Sequence, residues 1–533
     1  MSVAVLIQSR CHISRRGIEP FTVFCKWPLM KGLFFEIYLG HFMDSLFEIE
    51  LERPIPGSRD AGHRLYRQLK QAIQDGRLAA GTRLPASRKS AHFFGLSRNT
   101  VAQVYDRLVN EGLVIARQGS GTYVADLPPE PASTPSPEST YRLNTFWLRE
   151  DVTAAMGFWR DDPPVISRAE SPIDFRPALI DPRLFPFDVY RRVSAKQLRG
   201  LKKKPAAYKS PQGNQGNFHL REAITNHIAL TRAVVCRRDD VVVTAGAQQA
   251  FDLLARILVT PGETVVAVED PGYPPMRIAF AAAGARIVPV PVDDEGLVVD
   301  SLPPGLGVIC VCPSHQFPLG ITMSKRRRAA LLEFARQHGA VIVEDDYDGE
   351  FRYGANPLQS LRGKDCAEVV FYVGTFSKCM LPSLRLGFVV VPGWARRTLI
   401  AAKNCLDWHC STPLQTGVCA FIDEGHLAHH VRKMRQIYQK RRQLLLDRLK
   451  RDFGDWLEPI PSLYGMHIAA WARHAVDLEA AVQTLALRSV KIHTLARYHL
   501  TASPRPGLVF GYGAVDLPEI DRGLAALKRA LSR

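Results

Sequence analysis

Residues 374–388 read GTFSKCMLPSLRLGF. Lys378 follows Ser377 by one position and Thr375 by three, and Arg385 comes seven positions later. The stretch VVFYVG (369–374) before it is an unbroken apolar run, which predicts a buried strand with the lysine on the turn that leaves it. An amine at such a turn can take an aldehyde, and two hydroxyls with a guanidinium suit a phosphate. Pyridoxal phosphate carries both groups. A lysine in a loop is usually only solvated, so the surrounding chain decides the reading.

Outward from this stretch, several more apolar runs repeat the pattern. VVVT (241–244), TVVAVE (264–269), GVICVC (307–312), AVIVED (340–345) and GFVVVP (387–392) alternate with helical patterns such as AQQAFDLLARIL and RRRAALLEFARQHG. That alternation predicts an α/β unit with a mainly parallel sheet covered on both faces. The ends of these runs carry polar residues. TAGAQQAF puts a glycine turn before a helix start, so the free N–H groups near Ala247 and Gln248 can hold a phosphate. EDPGYPP places Tyr273 where a ring can stack on a pyridine, and VIVEDDYDGEF ends its strand with Asp345, a carboxylate able to pair with a pyridine nitrogen. Tyr347 is within reach of the phenolic oxygen of such a ring.

The chain has 533 residues, enough for two or three domains, with 46% hydrophobic and 23% charged residues. No apolar run reaches 18 residues, so no membrane span is expected. The ten cysteines are scattered without a zinc-like pairing and read as reduced thiols of a cytoplasmic protein. The net charge of +17 points to an anionic partner. Residues 61–125 hold ten Lys/Arg against three Asp/Glu, which places much of that charge in one segment.

That segment reads as a winged helix. RLYRQLKQAIQD (64–75) has apolar residues at helical spacing, SRKSAHFFG stops at Gly95, and Ser97 caps the helix of SRNTVAQVYDRLVNEG, with Val101, Val104, Leu108 and Val109 on one face. Two helices joined by a tight turn predict a helix-turn-helix whose second helix presents Arg98, Asn99 and Thr100 to DNA. LVIARQGSGTYVA then predicts two strands around GSG. Before it, residues 1–42 lack any period and read as a disordered extension ahead of Met43. After it, DLPPEPASTPSPES (126–139) holds five prolines and starts a linker that runs to about 170; the proline-rich part spans about 40 Å if extended. Trp147 and Trp159 suggest that part of the linker docks.

LPASR (84–88), GLSRNTV (95–101), Tyr105, EGL (111–113) and GSGTYV (119–124) together resemble the winged-helix domain of GntR-type bacterial regulators. LFPFDVYRR (184–192), YKSPQGNQGNFHLREAI (208–224), CPSHQFPLGITM (312–323), EDDYDGEFRY (344–353) and GTFSK (374–378) resemble the fold-type I aminotransferases. The combination resembles the MocR-type regulators, a GntR subfamily. The resemblance implies a winged helix over 43–125 and an aminotransferase-like domain over 171–533, its large part about 208–425 and its small part about 171–205 with 426–533. It implies that Lys378 forms the Schiff base with pyridoxal 5'-phosphate, Asp345 meets the pyridine nitrogen, Tyr273 stacks and Tyr347 meets the phenolic oxygen. Ala247, Gln248, Thr375, Ser377 and Arg385 are implied to bind the phosphate, with Tyr208 reaching it from the other subunit of a head-to-tail homodimer. Arg88 and Arg98 are implied to contact double-stranded operator DNA, alongside Ser97, Asn99, Thr100 and Gly121.

Two positions depart from the aminotransferase pattern. Phe317 in HQFPLG stands where aminotransferases carry an asparagine bonded to the cofactor oxygen. Val509 in GLVFGYG stands where they carry the arginine that clamps a substrate carboxylate, with Arg277 and Arg505 as conceivable substitutes. The expectation is therefore a transcriptional regulator that senses a small amine, an amino acid or pyridoxal phosphate itself. A working aminotransferase with an appended DNA-binding module is the alternative.

Overall fold

The computed structural model describes residues 60–126, 144–153, 172–201, 213–354, 359–474, 476–501 and 505–532. The extension 1–42, most of the proline-rich linker, Trp159 and Tyr208 lie outside them. The chain divides into two compact units, Met1–Thr140 and Tyr141–Arg533.

In the first unit, α1 (Ala61–Gln74), β1 (Arg83–Leu84), α2 (Ser87–Phe94), α3 (Arg98–Asn110), β2 (Val114–Arg117) and β3 (Gly121–Val124) follow one another. Leu65, Leu69 and Ile73 of α1 meet Phe94 of α2 and Val101, Val104 and Leu108 of α3 in one core. Gly95 ends α2 in the left-handed region (φ 65°), and the Ser97 side chain then accepts a hydrogen bond from the Thr100 N–H at 3.1 Å to start α3. Tyr105, rather than Val109, takes the inner place on α3: its hydroxyl is 2.9 Å from Ser90 Oγ and donates to the Pro85 carbonyl at 3.0 Å. The sheet has three strands in the order β1-β3-β2, all antiparallel, against the two read from the sequence. The added strand, Arg83–Leu84, is two residues long and too short to show a period.

In the second unit the linker stretch contributes a 3-10 turn at Thr145–Leu148 and α4 (Glu150–Thr153). Next come β4 (Ile173–Asp174), α5 (Phe187–Leu201), α6 (Phe218–Arg232), β5 (Val241–Thr244), α7 (Ala247–Leu258), β6 (Val265–Asp270), α8 (Pro274–Ala282), β7 (Arg286–Asp293) and β8 (Gly296–Leu297). Then β9 (Val308–Val311), α9 (Lys325–His338), β10 (Val341–Asp346), β11 (Val370–Thr375), β12 (Gly387–Val390), α10 (Arg396–Leu406), α11 (Thr412–Asp423) and α12 (His426–Phe453) complete the larger part. The chain ends with β13 (Leu457–Pro459), β14 (His467–Ala472), α13 (Leu478–Ala486), β15 (Val490–Lys491), β16 (His493–Thr494), β17 (Gly507–Gly511) and α14 (Leu517–Leu531).

Eight strands form one sheet in the order β5-β12-β11-β10-β9-β6-β7-β8. The run β11-β10-β9-β6-β7 is parallel, and its β-branched residues are buried because helices cover both faces. β12 is antiparallel to both neighbours. A second, antiparallel sheet has the order β13-β14-β17-β16, and β4 pairs with β15. The sequence boundaries put residues 187–201 with the small part, but α5 packs on α11: Ser194 Oγ lies 2.9 Å from where a Cβ on Gly417 would sit. The linker turns pack on α8, with the Phe146 ring against Gly284. Among the described residues, no helix is long and apolar enough to cross a membrane.

Candidate cofactor site and nucleic-acid interface

At the start of α3, Arg98 and Asn99 are exposed, and Thr100 is half-buried with its hydroxyl 2.8 Å from Ser97 Oγ. Arg88 and Lys89 are exposed on α2. Neither Arg88 nor Arg98 has an ion pair among the described residues. Gly121 opens β3 at φ 120°, where a Cβ would lie 3.0 Å from Arg83 Nε. The positive φ favours glycine there, whereas the Arg83 side chain could move aside.

The second unit holds a cavity of about 1270 Å³ at the carboxyl ends of the parallel strands. Ala247, Gln248, Tyr273, Asp345, Tyr347, Thr375, Ser377, Lys378 and Arg385 all line it. Tyr208 alone of the expected cofactor residues is outside the described residues. Strand direction explains the gathering: β5, β6, β10 and β11 all deliver their last residues or following turns to the same edge.

The phosphate end is built from backbone and short side chains. Gly246 (φ 79°) precedes α7, whose first N–H groups have no partner inside the helix. The Arg385 guanidinium lies over Gly246, where a Cβ would come within 3.1 Å of Nη2, and Nη2 donates to the Ala245 carbonyl at 3.4 Å. Thr375 Oγ1 donates to Ser377 Oγ at 3.0 Å and accepts from the Ser377 N–H at 3.1 Å, so both hydroxyls face one place.

At the other end, Lys378 Nζ donates to the Ala178 carbonyl at 2.6 Å. Burial lowers its amine to about 8, against the opposing pull of Asp348 and Asp345. Asp345 is 3% exposed, and its Oδ1 has no hydrogen-bond partner among the described residues. Its other oxygen has only the Cys312 thiol, at 3.9 Å. Burial pushes this carboxyl up to about 8, and Asp346 and Asp348 add to the rise. Tyr273 packs edge-on against Phe317 at 5.3 Å between ring centres, and the Tyr347 hydroxyl is 2.9 Å from His315 Nδ1.

These residues fit pyridoxal phosphate. A buried carboxylate oxygen without a donor is costly and suits a protonated ring nitrogen. A half-buried amine of lowered pKa suits an aldehyde, and a helix N-terminus with two hydroxyls and a guanidinium suits a phosphate. When bound, this cofactor supplies an electron-withdrawing ring coupled to an amine-reactive carbon.

Val509 is fully buried in β17, paired with Ala469 and His493, and does not line the cavity. Arg505 pairs with Glu458 at 2.9 Å and lies over Trp471, while Arg277 is also absent from the lining. The structure adds wall residues that sequence reasoning missed. Trp147 and Val152 come from the linker turns, Arg176–Leu179 follow β4, Val490–Thr494 run through β15 and β16, and Ala496–Tyr498 lie in the 3-10 turn after β16. The sequence marks Trp147 only as a docking residue, and the others carry no local signal.

A fold-type I aminotransferase-like cofactor unit joined to a winged helix is thus the class that fold and site define. Comparison with known families agrees. The family described as aminotransferase class I and II matches residues 187–506, and that of the bacterial regulatory proteins of the gntR family matches residues 61–124. The chain is 34% identical over 467 residues to the probable rhizopine catabolism regulatory protein MocR of Rhizobium meliloti, covering 87% of this chain and 92% of that protein. It is 29% identical over 468 residues to the pyridoxine biosynthesis transcriptional regulator PdxR of Corynebacterium glutamicum, covering 88% and 95%. The crystal structure of LysN from Thermus thermophilus, an alpha-aminoadipate aminotransferase complexed with N-(5'-phosphopyridoxyl)-L-leucine, superposes with a TM-score of 0.62 at 26% identity, over 68% of this chain and 92% of that one. The chain belongs to the MocR-type transcriptional regulators: a DNA-binding regulator of the GntR family whose aminotransferase-like domain uses pyridoxal phosphate.

Proposed function

We propose that the cofactor domain acts as a sensor and carries out no rapid transamination. Lys378 supplies the amine that holds the cofactor's aldehyde carbon, Asp345 holds the proton on the ring nitrogen, Tyr273 covers the ring face and Tyr347 donates to the phenolic oxygen. The N–H groups of Ala247 and Gln248, the hydroxyls of Thr375 and Ser377, and Arg385 hold the phosphate. Tyr208 completes that end across a head-to-tail homodimer. In the first unit, Arg88 and Arg98 contact the operator, Asn99 and Ser97 stand beside them at the start of α3, and Thr100 and Gly121 lie close to the DNA backbone. The protein works in the cytoplasm, where its operator is.

The observation that carries this reading is a cavity with the cofactor groups in place and no guanidinium from β17. Transamination needs the α-carboxylate clamped so that the breaking bond stands perpendicular to the ring. Buried Val509 offers no clamp. Other cations line the cavity, Lys491, Arg497 and Arg176, the last held by Asp174 at 2.7 Å. The effector is a small amine, an amino acid, or pyridoxal phosphate itself. The name of the PdxR relative supports the last option.

The test is a titration of the full chain with pyridoxal phosphate, followed by operator-binding measurements with and without candidate amines. A visible absorbance band should form, vanish in Lys378→Ala, and change with the effector that also changes operator affinity. A wild-type chain that gains no band and retains no borohydride-fixed cofactor refutes the sensor reading. Sustained turnover of ~1 per second or more against a panel of amino and keto acids would favour the aminotransferase alternative.

A further inference from the structure

Behind Tyr347 the protein buries polar groups that the roles above leave unused. His315, from the segment between β9 and α9, and Asp348, just after β10, are each 2% exposed, and His467 of β14 is fully buried. His315 Nδ1 lies 3.0 Å from Asp348 Oδ2 and 2.9 Å from the Tyr347 hydroxyl oxygen. Its other nitrogen, Nε2, is buried with no hydrogen-bond partner among the described residues. His467 spends its Nε2 on the Pro318 carbonyl at 3.0 Å, and its ring centre is 4.4 Å from that of His315.

Counting protons settles the direction of these bonds. Burial keeps the His315 ring neutral, lowering it to about 3 with help from Arg442. A neutral imidazole carries one proton. On Nε2 that proton would be a buried donor with no acceptor, the costlier kind of orphan. On Nδ1 it has an Asp348 oxygen as acceptor, whether that carboxyl, pushed up to about 8 by burial, is ionised or keeps a proton on its other oxygen, with the Tyr347 oxygen at the same range. A nitrogen that already bears a proton cannot accept one from Tyr347. No other hydrogen bond of the Tyr347 hydroxyl is found among the described residues, so its own proton is left for the cavity.

We propose that His315 and Asp348 are positioning residues for Tyr347, fixing its hydroxyl proton in the direction of the cavity so that it donates to the phenolic oxygen of the cofactor. The inference rests on the cofactor-site reading above. Phe317 shows why the device matters here: it lines the cavity but offers no donor where aminotransferases carry an asparagine. The fold also guards the pair, since a side chain at Gly465 (φ 78°) would overlap both the His315 ring and the Asp348 carboxyl. The titratable groups facing the pair are Tyr347, His467, Arg442, Asp345, Asp346, Glu350, Lys378, Cys312, Tyr353 and Tyr512.

The experiment reads the pH midpoint at which the visible band of the cofactor-loaded full chain changes. A donor on the phenolic oxygen stabilises its anionic form, so losing that donor raises the midpoint. One hydrogen bond of ordinary strength corresponds to a rise of about half to one pH unit. Tyr347→Phe should show such a rise and His315→Leu a rise no larger. In the double variant, His315→Leu should add nothing, because its effect passes through the tyrosine hydroxyl. Asp348→Asn also removes a carboxyl that pulls the Lys378 amine up, so it is read as a cycle: its midpoint shift should lie higher in the Tyr347 background than in the Tyr347→Phe background, and that difference carries the comparison if His315→Leu yields no folded protein. A His315→Leu shift that persists in the Tyr347→Phe background, or no shift from either partner while Tyr347→Phe moves the midpoint, overturns the proposal. A wild-type chain with no cofactor spectrum overturns the cofactor reading itself, and this inference with it.

Discussion

Replacing Asp345 by asparagine should stabilise the cofactor-free protein and weaken the cofactor, and the first effect should depend on pH. The carboxyl is buried, has one oxygen without a partner among the described residues, and is pushed up to about 8. Its folded pKa therefore lies above the ordinary carboxylate value of ~3.9. For a carboxyl raised in this way the unfolded chain ionises first. The penalty is absent below pH ~4, grows as pH rises, and is complete above pH ~8. The gap between those two values, about 4 units, sets an upper bound of ~5.6 kcal/mol. Because the group borders a cavity that admits water, roughly half of that is a better working figure, ~2–3 kcal/mol. In a unit of this size a kcal/mol moves the melting temperature by about 1–2 °C. Asp345→Asn without cofactor should thus melt about 3–5 °C above wild type at pH 9 and within about 1 °C of it at pH 5. The same change removes a charge-assisted bond to the ring nitrogen, worth ~1.5–3 kcal/mol, so cofactor affinity should fall by about 10- to 100-fold. Melting curves at the two pH values and an absorbance titration measure both. An equal difference in melting temperature at pH 5 and pH 9 refutes the buried-carboxyl argument, and an unchanged cofactor affinity refutes the role of Asp345 at the ring.

Cofactor capture by the wild-type chain should quicken as pH rises through about 8 and then level off, since only the neutral Lys378 amine attacks an aldehyde and burial lowers that amine to about 8; stopped-flow absorbance at fixed cofactor concentration reads this. Arg98→Ala should weaken operator binding by ~1–3 kcal/mol if it makes a bidentate base contact, and wild-type affinity should fall steeply with salt because the unit neutralises phosphates. Unchanged affinity in a fluorescence-anisotropy titration would mean that the start of α3 does not face the bases. Ser97→Ala should cost ~1 kcal/mol of first-unit stability by removing the cap on the Thr100 N–H, visible as reduced hydrogen-exchange protection in the first turn of α3.

Most of the architecture was legible because its signals are local. Gly95, Ser97 and the apolar spacing of α3 sit within a few residues of one another, and their turn, cap and buried face follow from backbone geometry alone. The β-branched runs at 241–244, 264–269, 307–312, 340–345 and 369–374 announce buried strands for the same reason. Lys378, Thr375, Ser377 and Arg385 fall within eleven residues between the end of β11 and the start of β12, so their joint chemistry can be read from spacing. Tertiary structure alone decided what crosses the chain. The antiparallel place of β12 between β5 and β11 depends on pairing with Val241–Thr244, more than 140 residues away. Tyr347 stood out in the sequence, yet its partner His315 is 32 residues distant and His467 comes from the small sheet. Trp147, Arg176 and Arg497 reach one cavity from three separate segments. Hydrogen-bond direction, the loss of water around Asp345 and the burial of Val509 are properties of those distant contacts. A periodic pattern fixes which face of an element is apolar, but the neighbour that covers the face is chosen only when the whole chain packs.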